Sequence, residues 1–209
     1  SSAHDAWGTL FETHHCLRVT FDQSNFFAGH MAGGYMVPGG PRSILLALGD
    51  HGFDGVNVTD AVPQDMRSEY GKVMEIDLGD GSARIFSAGH RSPGGFHRDN
   101  AGRYWLTEHG PRGGDELNLV AEGRNYGWPY KGLGTHHDSY ELTNVQAPEP
   151  DESFQAPAFA WTPSIAPSAL LTIDGEESPR WQGESLVAGL ASRALYRVPL
   201  EADRAVLAR

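Results

Sequence analysis

One cysteine, Cys16, stands in the whole chain, so no disulfide can form within it. It reads as a small, semi-buried apolar residue. Long apolar runs are missing as well. None approaches the roughly 18 uninterrupted residues that cross a bilayer as a helix. No amphipathic helical period persists over a useful length. Basic residues are scarce, 16 Lys and Arg against 27 Asp and Glu, for a formal net charge of -11. A nucleic-acid partner needs a dense Lys/Arg surface, so this balance argues against one, and against adsorption to an anionic membrane. It leaves open a neutral ligand such as a sugar and a hard cation such as calcium.

Turn-forming residues are abundant instead. There are 26 glycines and 13 prolines spread along the chain, which favours many short elements over a few long helices. Between them lie short apolar or alternating runs: Leu17 to Phe21, Ile44 to Leu48, Lys72 to Leu78, Tyr104 to Thr107, Leu117 to Val120, Ser185 to Leu190 and Ala194 to Leu200. Their β-branched and aromatic content, and the Gly and Asp that end them, mark strands. Gly79-Asp80-Gly81 reads as a hairpin turn.

A loose repeat runs through these strands. A nearly continuous apolar strand is followed by a loop and then by an alternating strand that carries charge. Copies fall at 44–78, 104–120 and 185–200. Stacked four-stranded blades and a β-sandwich both produce such a pattern. The stretches 52–70 and 132–157 lack an apolar period and read as long surface loops. The His14-His15 and His136-His137 pairs lack the spacing of a zinc site, since adjacent histidines rarely converge on one metal.

The densest motifs are Gly89-His90-Arg91-Ser92-Pro93-Gly94-Gly95, then Thr107-Glu108-His109-Gly110-Pro111-Arg112-Gly113-Gly114-Asp115-Glu116-Leu117-Asn118-Leu119, then Gly123-Arg124-Asn125-Tyr126-Gly127-Trp128-Pro129. Pro163-Ser164-Ile165-Ala166-Pro167-Ser168 follows. In this order they resemble the glucose/sorbosone dehydrogenase family, soluble quinoproteins that oxidise sugars with pyrroloquinoline quinone (PQQ) and calcium. The likeness runs from about residue 30 to about 200. It implies an all-β, six-bladed β-propeller, here an incomplete set of about four blades. Residues 1–209 then form a single partial domain without the opening blades and the C-terminal segment.

The resemblance also implies a site. His30, in Gly29-His30-Met31-Ala32-Gly33-Gly34, is similar to the catalytic histidine of the family, although Gly29 and Gly34 depart from its pattern. An imidazole suits the task of taking a proton from a sugar hydroxyl. Arg91 matches an arginine that contacts the quinone carbonyls, with Ser92 where the family usually has Asn. Gly110 and Pro111 match a pair whose backbone carbonyls ligate calcium; a plain tight turn is the alternative. Asp115 resembles an acid near the catalytic histidine. Glu116, with the backbone of Tyr126, resembles a second calcium site. Neighbours in a strand point to opposite faces, so Asp115 and Glu116 should serve different places. His109 and Ser164 match cofactor contacts, and Trp161 is either a wall of the site or a core residue. Where a cofactor-anchoring lysine is expected, Ala191 stands, and Arg193 is the nearest cation.

The activity implied is PQQ- and calcium-dependent oxidation of an aldose to its lactone, with electrons passed to an external acceptor, in a periplasmic or secreted setting. A non-catalytic binding propeller is the main alternative, and a calcium-dependent lactone hydrolase a weaker one.

Overall fold

The computed structural model describes residues 7–14, 17, 30–137, 139, 141, 145–146, 153–176, 178–201 and 204–205. The strand expected at 17–21 therefore lies outside the described residues, Leu17 excepted. Twelve strands and two short 3-10 turns form the regular structure of the described residues, with no α-helix among them. No helix there is long and apolar enough to cross a membrane.

The strands form three antiparallel sheets of four. The first holds β1 (Gly33–Pro38), β2 (Ser43–Leu48), β3 (Lys72–Asp77) and β4 (Ala83–Ala88), in chain order. The second holds β5 (Pro93–Arg98), β6 (Tyr104–Glu108), β7 (Asp115–Val120) and β8 (Phe159–Trp161), also in chain order. The third holds β9 (Pro167–Ile173), β10 (Glu184–Gly189), β11 (Ala194–Glu201) and β12 (Arg204–Ala205). This is a run of propeller blades. About four were expected, and the described residues form three. Each copy of the sequence repeat is the central strand pair of one blade: β2–β3, β6–β7 and β10–β11. Tight turns link the outer pair of the first blade, where the Asp80 carboxylate accepts from Ser82 N at 2.9 Å and Gly81 adopts φ 72°.

Period-two alternation sends neighbouring side chains of β6 into different cores. Leu106 joins Val37, Leu45, Val73, Phe86 and Phe96 between the first and second blades. Trp105 joins Trp161, Leu170, Val187 and Val198 between the second and third. Truncating either to Ala costs about 2–5 kcal/mol in a packed core. The first strands of the blades stand side by side, β1 against β5 and β5 against β9. Glycine permits the second contact: a Cβ on Gly94 would lie 1.9 Å from the Pro167 carbonyl oxygen, and one on Gly95 2.6 Å from Leu170 N.

Both stretches read as loops connect strands. Residues 49–71 join β2 to β3, and 121–158 join β7 to β8. The second loop first runs beside β4, where Ala88 N donates to Arg124 O and Tyr126 N donates to Ala88 O. That ladder carries Trp128 to the end of the blades where the other long loop lies.

Candidate functional site

The loops leaving β2, β4 and β6, with part of the loop between β7 and β8, line a cleft of about 360 Å³ whose wall includes His30, Arg91, Ser92, His109, Gly110 and Pro111. These six residues, separated by up to 81 positions (111 minus 30), are thus brought together. Asp54, Asn57, Trp128, His136 and His137 complete much of the wall. Asp54 is not a free charge there. Its carboxylate accepts from Val56 N, Asn57 N and Asn57 Nδ2, at 2.7–2.9 Å.

Arg91 sits at the centre of the cleft's chemistry. Its Nη1 donates to the carbonyl oxygens of His109 at 3.0 Å and Gly110 at 3.1 Å. Its guanidinium carbon lies 5.2 Å from the centre of the Trp128 ring. Its Nε is buried and, among the described residues, has no acceptor. A buried donor without a partner is costly, so the arrangement suits an acceptor brought by a ligand. His109 Nε2 lies 2.7 Å from the Pro167 carbonyl, which can only accept. That bond places the hydrogen on Nε2 and leaves Nδ1 of the neutral ring as an acceptor.

Three expected site residues, Asp115, Ser164 and Arg193, are not part of the cleft wall. Asp115 is fully buried and does not contact His30. One carboxylate oxygen accepts from Gly110 N at 2.9 Å and from Ser164 Oγ at 2.5 Å. The other accepts from Ile165 N at 2.8 Å and Ala166 N at 2.7 Å. Asp115 therefore ties two turns together, because its first-of-strand position aims it between them. Ser164 is spent on the same carboxylate and is not part of the cleft wall. Arg193 is exposed on the β10–β11 turn with φ 53°, also away from the cleft wall. Trp161 is core, packed among Trp105, Leu117 and Leu170.

Glu116 points the other way from Asp115, as strand alternation requires. It lines a small second cavity of about 20 Å³ with Glu108, Tyr126 and Lys131. Burial pushes its carboxyl up to about 8, and the nearby charge of Glu108 adds to this. The Tyr126 hydroxyl donates to Leu119 O at 2.5 Å and accepts from Ala121 N at 3.0 Å. Burial raises its phenol as well. The two cavities share Arg91, His109, Gly110, Pro111 and Trp128.

Two supporting groups went unnoticed in the sequence. Asp50 is fully buried, and burial raises its carboxyl to about 7, against the lowering effect of Arg91. Its Oδ2 accepts from Trp128 Nε1 at 2.7 Å, and its backbone N donates to Arg91 O at 2.9 Å. The other group is a buried chain of Ser87, His90 and Glu108. Ser87 Oγ lies 2.8 Å from His90 Nε2, and His90 Nδ1 lies 2.5 Å from Glu108 Oε1. This has the shape of a nucleophile triad, but all three side chains are sealed from solvent, so no substrate reaches the hydroxyl. Its outward end is Glu108 Oε2, which accepts from Arg91 N at 2.8 Å. The chain holds the backbone of Arg91 in place.

The family model described as Glucose / Sorbosone dehydrogenase matches residues 12–209. An aldose sugar dehydrogenase of Escherichia coli is 28% identical over 203 residues, covering 90% of this chain and 53% of that protein. The quinoprotein glucose dehydrogenase B of Acinetobacter calcoaceticus is 31% identical over 139 residues, covering 54% of this chain and 29% of that protein. The crystal structure of the soluble aldose sugar dehydrogenase from Escherichia coli in the apo-form superimposes with a TM-score of 0.73 at 25% identity, covering 84% of this chain and 52% of that one. The chain thus spans about half the length of the Escherichia coli relative.

Proposed function

Because the chain belongs to the glucose/sorbosone dehydrogenase family, we propose that it forms part of a PQQ-dependent dehydrogenase that oxidises an aldose to its lactone and passes the electrons to an external acceptor. The observation that carries this reading is the meeting of His30, Arg91, Ser92 and His109 in one cleft, with a buried Arg91 donor lacking an acceptor.

The residues suit a flat, anionic quinone. Arg91 supplies the positive charge and the unspent donor, Ser92 a hydroxyl, His109 an oriented ring, and Trp128 an aromatic wall. When bound, the quinone supplies the two-electron acceptor that no amino-acid side chain can be. His30 is exposed at the cleft and takes the proton from the sugar hydroxyl. Arg91 stabilises negative charge that develops beside it. The His90–Glu108 pair fixes the backbone of Arg91, and the Asp50–Trp128 bond fixes the ring beside its guanidinium.

Calcium fits less simply. Backbone carbonyls of Gly110 and Pro111 are the right kind of donor for a hard cation. Among the described residues, no three His, Cys, Asp or Glu side chains converge to help them. The Gly110 oxygen already accepts from Arg91, so a cation on that oxygen would have to displace this bond. Glu116 and Tyr126, which line the second cavity, resemble a second, structural calcium site of the family. The periplasmic or secreted setting rests on the family resemblance.

The test is aldose-dependent reduction of an artificial electron acceptor by the full-length protein supplied with PQQ and calcium. Turnover that is lost in His30→Ala supports the reading. Hydrolysis of a lactone without PQQ would replace it with a hydrolase.

A further inference from the structure

We propose that Arg91 is a built-in competitor for the metal ion: its guanidinium occupies the carbonyl cradle of His109 and Gly110, and cation entry drives it off. The proposal rests on the reading of the 109–111 turn as a cation site. It adds that the metal and the arginine cannot use the Gly110 oxygen together.

Two consecutive carbonyl oxygens converge on one nitrogen, Nη1, at 3.0 and 3.1 Å. A hard cation takes oxygens at about 2.3–2.6 Å. A cation on the Gly110 oxygen and a guanidinium nitrogen 3.1 Å from that same oxygen would be like charges at close range in a partly buried place. The 109–110 peptide unit is held: Gly110 N, which shares that plane with the His109 carbonyl, donates to Asp115 Oδ1 at 2.9 Å, and Asp115 itself accepts from Ile165 N and Ala166 N. No bulkier residue could replace Gly110, since a Cβ would lie 2.2 Å from the Gly113 oxygen. The rigid partner is the turn, and the movable one is the side chain of Arg91.

The guanidinium already lies over Trp128, and among the described residues its Nε has no acceptor to lose. Moving it off the two carbonyls frees further donors beside the cleft. The binding of a cation and of an anionic ligand should therefore help each other, since the cation releases the group that holds the anion. The same coupling makes the arginine a brake on metal binding when no anion is present.

The experiment is calcium titration of the full chain by calorimetry, without PQQ, for the wild type, Arg91→Lys and Arg91→Met. Glu116→Gln is added to each so that the second cavity does not contribute. Arg91→Met should bind calcium roughly tenfold or more tighter than the parent, with Arg91→Lys between them. Equal or weaker binding in Arg91→Met overturns the proposal and leaves the calcium reading intact. Absence of calcium binding in every variant overturns both. Should Arg91→Met fail to fold, the arginine Nε–H resonance of the unsubstituted residue serves instead. It should move in step with calcium occupancy, and a resonance that stays still while calcium binds overturns the proposal.

Discussion

The guanidinium of Arg91 lies 5.2 Å from the ring centre of Trp128, and the indole N–H of that ring reaches Asp50 at 2.7 Å. Residues from three loops thus form one stack, with a buried carboxylate at its foot. Trp128→Phe keeps a ring for the guanidinium but deprives Asp50 of its donor. The expected cost is about 1–3 kcal/mol in unfolding free energy. Trp128→Leu should cost a comparable amount and also weaken PQQ binding. Urea midpoints and a PQQ titration of both variants check this.

Asp50 gives the protein a characteristic pH response. Its carboxyl is raised from 3.8 to about 7 by burial, so between those values the folded state holds a proton that the unfolded state has released. Its contribution is complete below about pH 4 and is lost as pH rises through about 7. The wild type should therefore lose stability relative to Asp50→Asn across that window, by at most about 1.4 kcal/mol per pH unit. Lys72 acts in the alkaline range. Burial lowers its amine from 10.5 to about 8, so the folded state gives up its proton first and stability rises with pH between those values. Unfolding curves at several pH values, in calcium-free buffer, read both slopes.

Asp115 should behave as a structural residue. It accepts four hydrogen bonds and leaves none for His30. Asp115→Ala is expected to cost about 3 kcal/mol or more, since several buried donors lose a charged acceptor at once. Ser164→Ala removes one of the four and should cost about 1 kcal/mol. A midpoint for Asp115→Ala close to that of the wild type would return Asp115 to the catalytic group.

Gly94 sets how closely the second and third blades approach. Gly94→Ala places a methyl 1.9 Å from the Pro167 oxygen and 3.3 Å from His109 Cδ2. Backbone must yield, at a cost of about 1–3 kcal/mol or more. The His109–Pro167 bond should loosen with it, which the ring-proton shifts of His109 would report.

Much of this was legible in the chain. The repeat at 44–78, 104–120 and 185–200 marked the central strands of each blade, because short apolar or alternating runs ended by Gly and Asp stand out from the turns around them. The 89–95 and 107–119 motifs marked the loops that meet at the cleft, and strand alternation separated Asp115 from Glu116. What sequence withheld was partnership across distance. Asp50 looked like a turn residue after Leu48-Gly49, and its partner Trp128 lies 78 positions away. Nothing local distinguishes an acid that ends a strand at the surface from one that is sealed beneath a loop. Asp115 failed for a related reason: its neighbourhood in sequence suggested a site, while the turn at 162–166 that consumes its oxygens arrives from the far side of a long loop. Arg193 was chosen for charge and proximity in sequence, but the β10–β11 turn sends it to solvent.

The most direct measurement is equilibrium titration of the chain with PQQ, followed by quenching of tryptophan fluorescence, since Trp128 lines the cleft. Saturable quenching at one equivalent is expected. Arg91→Met should weaken it at least about tenfold, close to 1.4 kcal/mol, while Arg193→Met leaves it unchanged. Absence of saturable quenching, or an Arg91→Met variant that binds PQQ as the wild type does, would contradict the assignment of this cleft to a quinone.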